Sequence, residues 1–229
     1  MVTTDPSGGA GVRVAVAGVS GYTGQRLLPR LGPDARLLLR PSTAARAPWK
    51  DDPRAVPVDL LDEAALETAL RGVDVIACLV GTTKAQFRAA TATEPAVSYE
   101  TVDIGIPRAL ANAGKRAGVQ RFVLLSSFGI DTPGAYPAAK RAAEAAVRDS
   151  GLRWTVLRPS FIVGPGRKAP KALDALWAPV GLFARGWADD VRSIDVDDLA
   201  AALARVIGSD AWDGRALAGR DLHAIVRGA

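Results

Sequence analysis

Seven residues near the start of the chain, Gly18-Val19-Ser20-Gly21-Tyr22-Thr23-Gly24, constrain its fold more than any other stretch. They follow a short β-branched run, Val12–Ala17, and open a helical segment, Tyr22–Leu31. In such a strand-to-helix turn the first glycine permits the tight reversal. The second lets backbone approach a diphosphate, and the third lets helix and strand pack closely. The new helix offers its unpaired amides and the positive end of its dipole to an anion. The turn therefore predicts a dinucleotide site with Gly18, Ser20, Gly21, Tyr22, Thr23 and Gly24 as contacts.

The end of the second strand, Ala35–Arg40, bears on which dinucleotide is held. A carboxylate there accepts from the ribose 2′-hydroxyl of NAD, whereas a cation meets the 2′-phosphate of NADP. The sequence offers Leu39-Arg40-Pro41-Ser42 and no acid until Asp51. Arg40 suits bidentate phosphate binding and Ser42 adds a donor, so NADP(H) is favoured over NAD(H).

After Pro41-Ser42 ends that strand, a polar stretch over 43–53 leads to a third strand at Ala55–Val58. A helix follows over Leu61–Leu70, then a doubly covered apolar strand at Asp74–Val80. Pro107–Ala117 predicts a helix, and Arg121–Leu125 a buried strand ending in Ser126-Ser127. Ala138–Arg148 predicts an Ala-rich helix and Trp154–Leu157 a sixth strand. This alternation predicts an α/β fold, a Rossmann-type doubly wound parallel sheet whose strand ends line one crevice. Residues 12–229 are expected to form a single NAD(P)-binding domain. Within it, 160–229 would supply most of a small C-terminal substrate cap, including a helix at Asp197–Ile207. Met1–Gly11 reads as a disordered leader with no signal-peptide pattern.

The 229 residues suit one well-packed domain; 48% are hydrophobic and 23% charged. The net charge of +5 is scattered over the sequence rather than gathered in a basic arm, which argues against a nucleic-acid partner. Cys78 is the single cysteine and His223 the single histidine, so no internal disulfide forms and zinc sites have little to be built from. That usage fits a reducing cytoplasm. No apolar run reaches membrane-spanning length. Cys78 reads as an inert core thiol, and His223 as a surface residue. Of the acids Asp195, Asp197 and Asp198, Asp197 or Asp198 is expected to be the cap and first-turn acid of the helix that follows, not to hold a metal. Arg167, Lys168 and Lys171 read as a solvated loop, with an acidic substrate as the alternative. Trp177, Phe183 and Trp187 either line an apolar pocket or pack the cap on the sheet.

Tyr136-Pro137-Ala138-Ala139-Lys140 puts a phenol and an ammonium four residues apart on one helix face. A cation beside a phenol stabilises the phenolate and eases proton transfer near neutrality. Together with the glycine turn, several pieces stand in a recognisable order. They are Val58-Asp59-Leu60, Val80-Gly81-Thr82-Thr83, the run 117–127, Tyr136 with Lys140, Leu157-Arg158-Pro159-Ser160 and Gly164-Pro165-Gly166. From about Val12 to Gly166 this set resembles the short-chain dehydrogenase/reductase superfamily, closest to its atypical, NmrA-like and Tat-interacting-protein-like members.

The resemblance implies an NADP(H)-dependent oxidoreductase that moves hydride between nicotinamide and a small-molecule carbonyl or alcohol. Tyr136 would be the general acid, Lys140 would bond the nicotinamide ribose, and Ser127, rather than Ser126, would polarise the carbonyl. Asp103 stands in the region where many members carry an Asn that supports the lysine. Asp59 would accept from the adenine amino group with Leu60 beside the ring. Gly81, Thr82 and Thr83 would run along the adenosine ribose with Val80 as a further cofactor contact, and Pro159, Ser160 and Ile162 would face the nicotinamide amide. The alternatives are a non-catalytic NADP(H)-sensing or partner-binding regulator, and an epimerase or dehydratase with tightly held cofactor. A monomer or a homodimer is expected.

Overall fold

The structure, a computed structural model, describes residues 11–82, 86–89, 96–167 and 192–228. The leader over 1–10, Thr83, Lys168, Lys171 and the three aromatic residues named for the cap lie outside the described residues.

Among the described residues, one sheet contains β1 (Val14–Ala17), β2 (Arg36–Leu39), β3 (Ala55–Pro57), β4 (Val75–Cys78), β5 (Arg121–Leu125), β6 (Arg153–Leu157) and β9 (Arg215–Leu217). All pairings are parallel, in the order β3-β2-β1-β4-β5-β6-β9. The chain therefore winds outward in both directions from the β1/β4 junction, which opens a crevice at the strands' carboxyl ends. Two short strands, β7 (Ile162–Val163) and β8 (Ile194–Asp195), pair with each other beside that crevice end.

The strands read as unbroken apolar runs because both faces are covered. Val14, Val16, Leu37, Leu39, Val75 and Val123 face one core with Leu27, Leu199, Leu203 and Leu222. Ala15, Ala17, Leu38, Ile76, Cys78 and Phe122 face the other with Leu66, Leu70, Leu110 and Val147. Full burial of each such Leu or Phe contributes roughly 2 kcal/mol to the collapsed state before entropy is counted.

The helices are α1 (Tyr22–Leu27), α2 (Pro41–Ala44), α3 (Glu63–Leu70), α4 (Ile106–Ala117), α5 (Ala135–Asp149), α6 (Val196–Ile207) and α7 (Gly219–Arg227). α1 is shorter than its sequence pattern because Pro29 lacks an amide, and the chain tightens into a 3-10 turn over Leu28–Arg30. Asp62 caps α3 by accepting from the amides of Ala64 and Ala65 at 3.0 Å. α5 starts at Ala135, three residues before the sequence pattern suggests, so Tyr136 lies in its first turn. The cap of α6 is Asp195, which accepts from the Asp197 amide at 2.8 Å. Asp197 and Asp198 are first-turn acids, as expected, but neither is the cap, because the helix begins one residue earlier than expected.

Part of 160–229 joins the main sheet. β9 covers the outer edge of β6, where unpaired backbone groups would otherwise be left, and Leu217 joins the sheet core. Arg121, buried on β5, ties this region down by donating to the α6 carbonyls of Val206 and Ile207 and to Ser209, and by pairing with Asp213 at 2.9 Å. A guanidinium at a helix C-terminus meets both the unpaired carbonyls and the negative dipole end. Among the described residues no helix is long and apolar enough to cross a membrane.

Candidate functional site: a dinucleotide cleft

The carboxyl ends of β1, β2 and β4 and the loop after β3 enclose a cleft of about 470 Å³. Of the residues expected to hold a cofactor, Gly18, Ser20, Gly21, Arg40, Asp59, Leu60, Val80, Gly81 and Thr82 line it.

Each glycine of the turn has a distinct spatial reason. Gly18 has φ +91°, and a Cβ there would come within 2.8 Å of the Leu79 backbone. At Gly24 a Cβ would collide with the Gly18 carbonyl oxygen and sit 2.5 Å from the Val19 Cα, so α1 packs on the turn after β1 through hydrogen alone. Gly21 is exposed and its Cβ would meet only the Gly18 carbonyl oxygen, at 3.2 Å, leaving the cleft side open. This is the space a diphosphate needs against bare backbone, and the residues present fit a dinucleotide.

At the end of β2 the structure adds a detail. Pro41 starts the short helix α2, which leaves Ser42 exposed and outside the cleft lining and puts Thr43 into it. Proline at a helix start was the available signal for this turn. Asp59 accepts from the Leu61 amide at 2.9 Å through Oδ1, which fixes its carboxylate in the cleft lining. Gln86 and Arg88, beyond β4, also line the cleft, and sequence reasoning passed over both.

Beyond the Gly81 end of the cleft lies a buried charge pair. The Lys140 ammonium on α5 stands 2.8 Å from Asp103 Oδ1, with the two side chains only 6% and 0% exposed. Asp103 Oδ2 accepts from the Thr82 amide at 3.2 Å. Asp103 sits on a π-helical turn, Tyr99–Gly105, that runs into α4; such wide turns recur at functional sites. A Cβ on Gly81 would lie 3.1 Å from Lys140 Nζ and 3.4 Å from Asp103 Oδ1, so the β4 loop rests directly on the pair.

Tyr136 is half-buried, with its ring centroid 5.6 Å from Lys140 Nζ. Its ring is 5.6 Å from that of Tyr99, which meets Phe87 edge-on at 4.8 Å. Among the described residues the Tyr136 hydroxyl has no hydrogen-bond partner. The two serines after β5 differ in environment. Ser126 is buried and donates to Glu144 Oε1 at 2.7 Å, whereas Ser127 is half-buried and bonds only its neighbour's carbonyl at 3.1 Å.

Glu144, one helical turn beyond Lys140, was passed over in the sequence. It is 1% exposed and receives both arms of the Arg158 guanidinium, at 2.9 and 2.6 Å, with Arg148 at 2.9 Å. These bonds raise the already high pKa of Arg158 further. They join α5 to the ends of β5 and β6. Downstream of Arg158, the Pro159 carbonyl accepts from Phe128, Ser160 donates to Arg192 at 2.7 Å, and Ile162 enters β7. Thr23 and Gly24 are buried in the packing of α1, Tyr22 is half-buried at its start, and none of the three is in the cleft lining. Cys78 is fully buried on β4, and burial pushes its thiol up to about 11. His223 is half-buried on α7. No group of side chains able to hold a metal occurs among the described residues.

A doubly wound parallel sheet with a glycine turn at its first strand and a cleft at its switch point defines a dinucleotide-binding protein. The chain belongs to the NAD(P)H-binding family, which it matches over residues 18–210. It is similar to a ceramide reductase of Caulobacter vibrioides, 32% identical over 198 residues that make up 83% of this chain and 59% of that protein. It is also similar to the (4-alkanoyl-5-oxo-2,5-dihydrofuran-3-yl)methyl phosphate reductase of Streptomyces griseus, 29% identical over 222 residues, or 90% of this chain and 66% of the relative. The chain thus spans about three fifths to two thirds of the length of these curated relatives. In fold it resembles an NADPH-dependent quinone oxidoreductase of Escherichia coli solved with NADPH, with TM-score 0.61, 24% identity and coverage of 90% and 68%. It also resembles an oxidoreductase of Lactococcus lactis, with TM-score 0.66, 19% identity and coverage of 95% and 96%.

Proposed function

We propose that the protein is an NADP(H)-dependent oxidoreductase of short-chain dehydrogenase/reductase type, acting on a small carbonyl or alcohol in the cytoplasm as a monomer or homodimer. The observation that carries this reading is the Lys140–Asp103 pair at 2.8 Å, buried against Gly81 and one helical turn from Tyr136. A buried ion pair is expensive to desolvate and contributes little to stability against an apolar replacement. Its place beside a cofactor cleft favours a chemical use.

Gly18, Ser20, Gly21, Asp59, Leu60, Val80 and Thr82 would hold the dinucleotide, and Arg40 would meet the 2′-phosphate that marks NADP. The nicotinamide, when bound, supplies or accepts the hydride. In the reductive direction the Tyr136 hydroxyl hands its proton to the carbonyl oxygen, and the Ser127 hydroxyl donates to the same oxygen and polarises it. Ser126 is committed to Glu144, which supports Ser127 as the polarising serine. Lys140 stabilises the developing phenolate and would bond the nicotinamide ribose, while Asp103 fixes the ammonium. Pro159, Ser160 and Ile162 carry the backbone that would face the nicotinamide amide.

Two measurements test the reading. Titration with NADPH and NADH, followed by tryptophan fluorescence, should give at least about tenfold tighter NADPH binding, near 1.4 kcal/mol. Equal affinities would remove Arg40 from the 2′-phosphate. NADPH oxidation with a panel of carbonyl compounds should then be abolished in Tyr136→Phe while NADPH affinity stays close to wild type. Undiminished turnover in that variant would overturn the mechanism. Absence of turnover in wild type, with cofactor-dependent capture of a partner, would favour a regulatory role.

A further inference from the structure

The turn after β7 carries a cation held on an aromatic ring and, among the described residues, without an ion-pair partner. Gly164 and Arg167 exchange backbone hydrogen bonds at 3.1 and 2.9 Å, closing a tight hairpin. The hairpin is bolted to the start of α1. The Tyr22 hydroxyl donates to the Pro165 carbonyl at 3.1 Å, and a Cβ on Gly164 would meet both the Tyr22 hydroxyl and Val196 at 2.7 Å. The Arg167 guanidinium lies over the Tyr22 ring, 4.4 Å from its centroid. Stacking of this kind holds an arginine without neutralising it. Among the described residues Arg167 makes no ion pair, whereas Arg13, Arg54, Arg116, Arg121, Arg153 and Arg158 each have a carboxylate. Tyr22 directly follows Gly21, the exposed residue of the turn where backbone is bare.

We propose that Arg167 is a cofactor-binding residue whose guanidinium, held by Tyr22, clasps the diphosphate of the dinucleotide at the Gly18–Gly24 turn. The inference rests on dinucleotide binding, which the family defines, and is independent of any redox activity. A guanidinium fork matches two oxygens of a phosphate anion, and a pre-stacked side chain loses less rotamer freedom on closing. The hairpin follows β7 and reaches the start of α1 through Tyr22, so it joins the second half of the chain to the glycine turn.

The diphosphate is common to NADPH and NADH, and this sets the test. In calorimetric titrations Arg167→Ala should weaken both cofactors by the same factor, roughly tenfold, leaving their ratio unchanged. Arg167→Lys, which keeps charge but not the fork, should fall between. Arg40→Ala, in contrast, should weaken NADPH alone. Affinities of Arg167→Ala equal to wild type for both cofactors would overturn the proposal. So would a loss confined to NADPH, which would place the guanidinium at the 2′-phosphate. Melting curves of the uncomplexed variants check that each is folded, and the exposed Arg167→Gln substitutes if the alanine variant is not. Failure of wild type to bind either cofactor would instead defeat the dinucleotide assignment itself, and this inference with it.

Discussion

An added methyl group would act differently at two glycines three positions apart, Gly24 and Gly21. At Gly24 the added carbon would lie within 2.6 Å of three backbone atoms of Gly18 and Val19, none of which can rotate away. Gly24→Ala should therefore cost on the order of 2–3 kcal/mol of stability by overpacking, before any cofactor is added. At Gly21 the carbon meets one oxygen at 3.2 Å, and φ −77° suits any residue. Gly21→Ala should leave stability within about 1 kcal/mol and lower NADPH affinity instead, because the methyl occupies the open side of the turn. Urea denaturation and NADPH titration of both variants separate the effects; equal losses of stability would contradict this division of labour. The three glycines were legible in the sequence because each has one physical job. Thr43 and Ser42 were not, since which of two adjacent hydroxyls faces the cleft depends on a helical turn that only four residues form. The Arg167 contact was hidden for another reason. Its partner Tyr22 is 145 positions away, and no local pattern announces a cation stacked on a distant ring.

Elements meet at Glu144, where one carboxylate on α5 binds the arginine that ends β6 and the serine that ends β5. Removing it leaves a partly buried guanidinium and a buried hydroxyl unpaired. Glu144→Ala should destabilise the fold by on the order of 3 kcal/mol, read by urea denaturation. Replacing both ends of the pair, with Glu144→Met and Arg158→Met together, should restore part of the loss because no charge is left stranded. A single variant as stable as wild type would show that the network is idle. The same element scale shows what the sequence could and could not convey. Strands buried on both faces announce themselves as short apolar runs, and β5 was delimited by sequence to the residue. β9 was not, since Arg215–Leu217 has only three residues and reads as loop until the exposed edge of β6 recruits it. The early start of α5 was obscured by Pro137, which a first helical turn accepts.

For the whole molecule, the cofactor should act as a structural member. Saturation at about one hundred times its dissociation constant adds roughly 2.7 kcal/mol to unfolding. For a chain of this size that raises the melting temperature by roughly 5–11 °C, and NADH at equal concentration should raise it less. No shift with either dinucleotide would contradict the cleft assignment. Cys78 offers a second reading of the same equilibrium. Its sulfur lies in the centre of the sheet, where burial pushes its thiol up to about 11, so at pH 8 the thiol stays protonated while the sheet is closed. An alkylating reagent can reach it only through an opening that parts β4 from its neighbours. The native protein therefore carries its own stopwatch: the pace of alkylation counts sheet openings, and bound dinucleotide should slow that pace by the factor by which it holds the sheet shut.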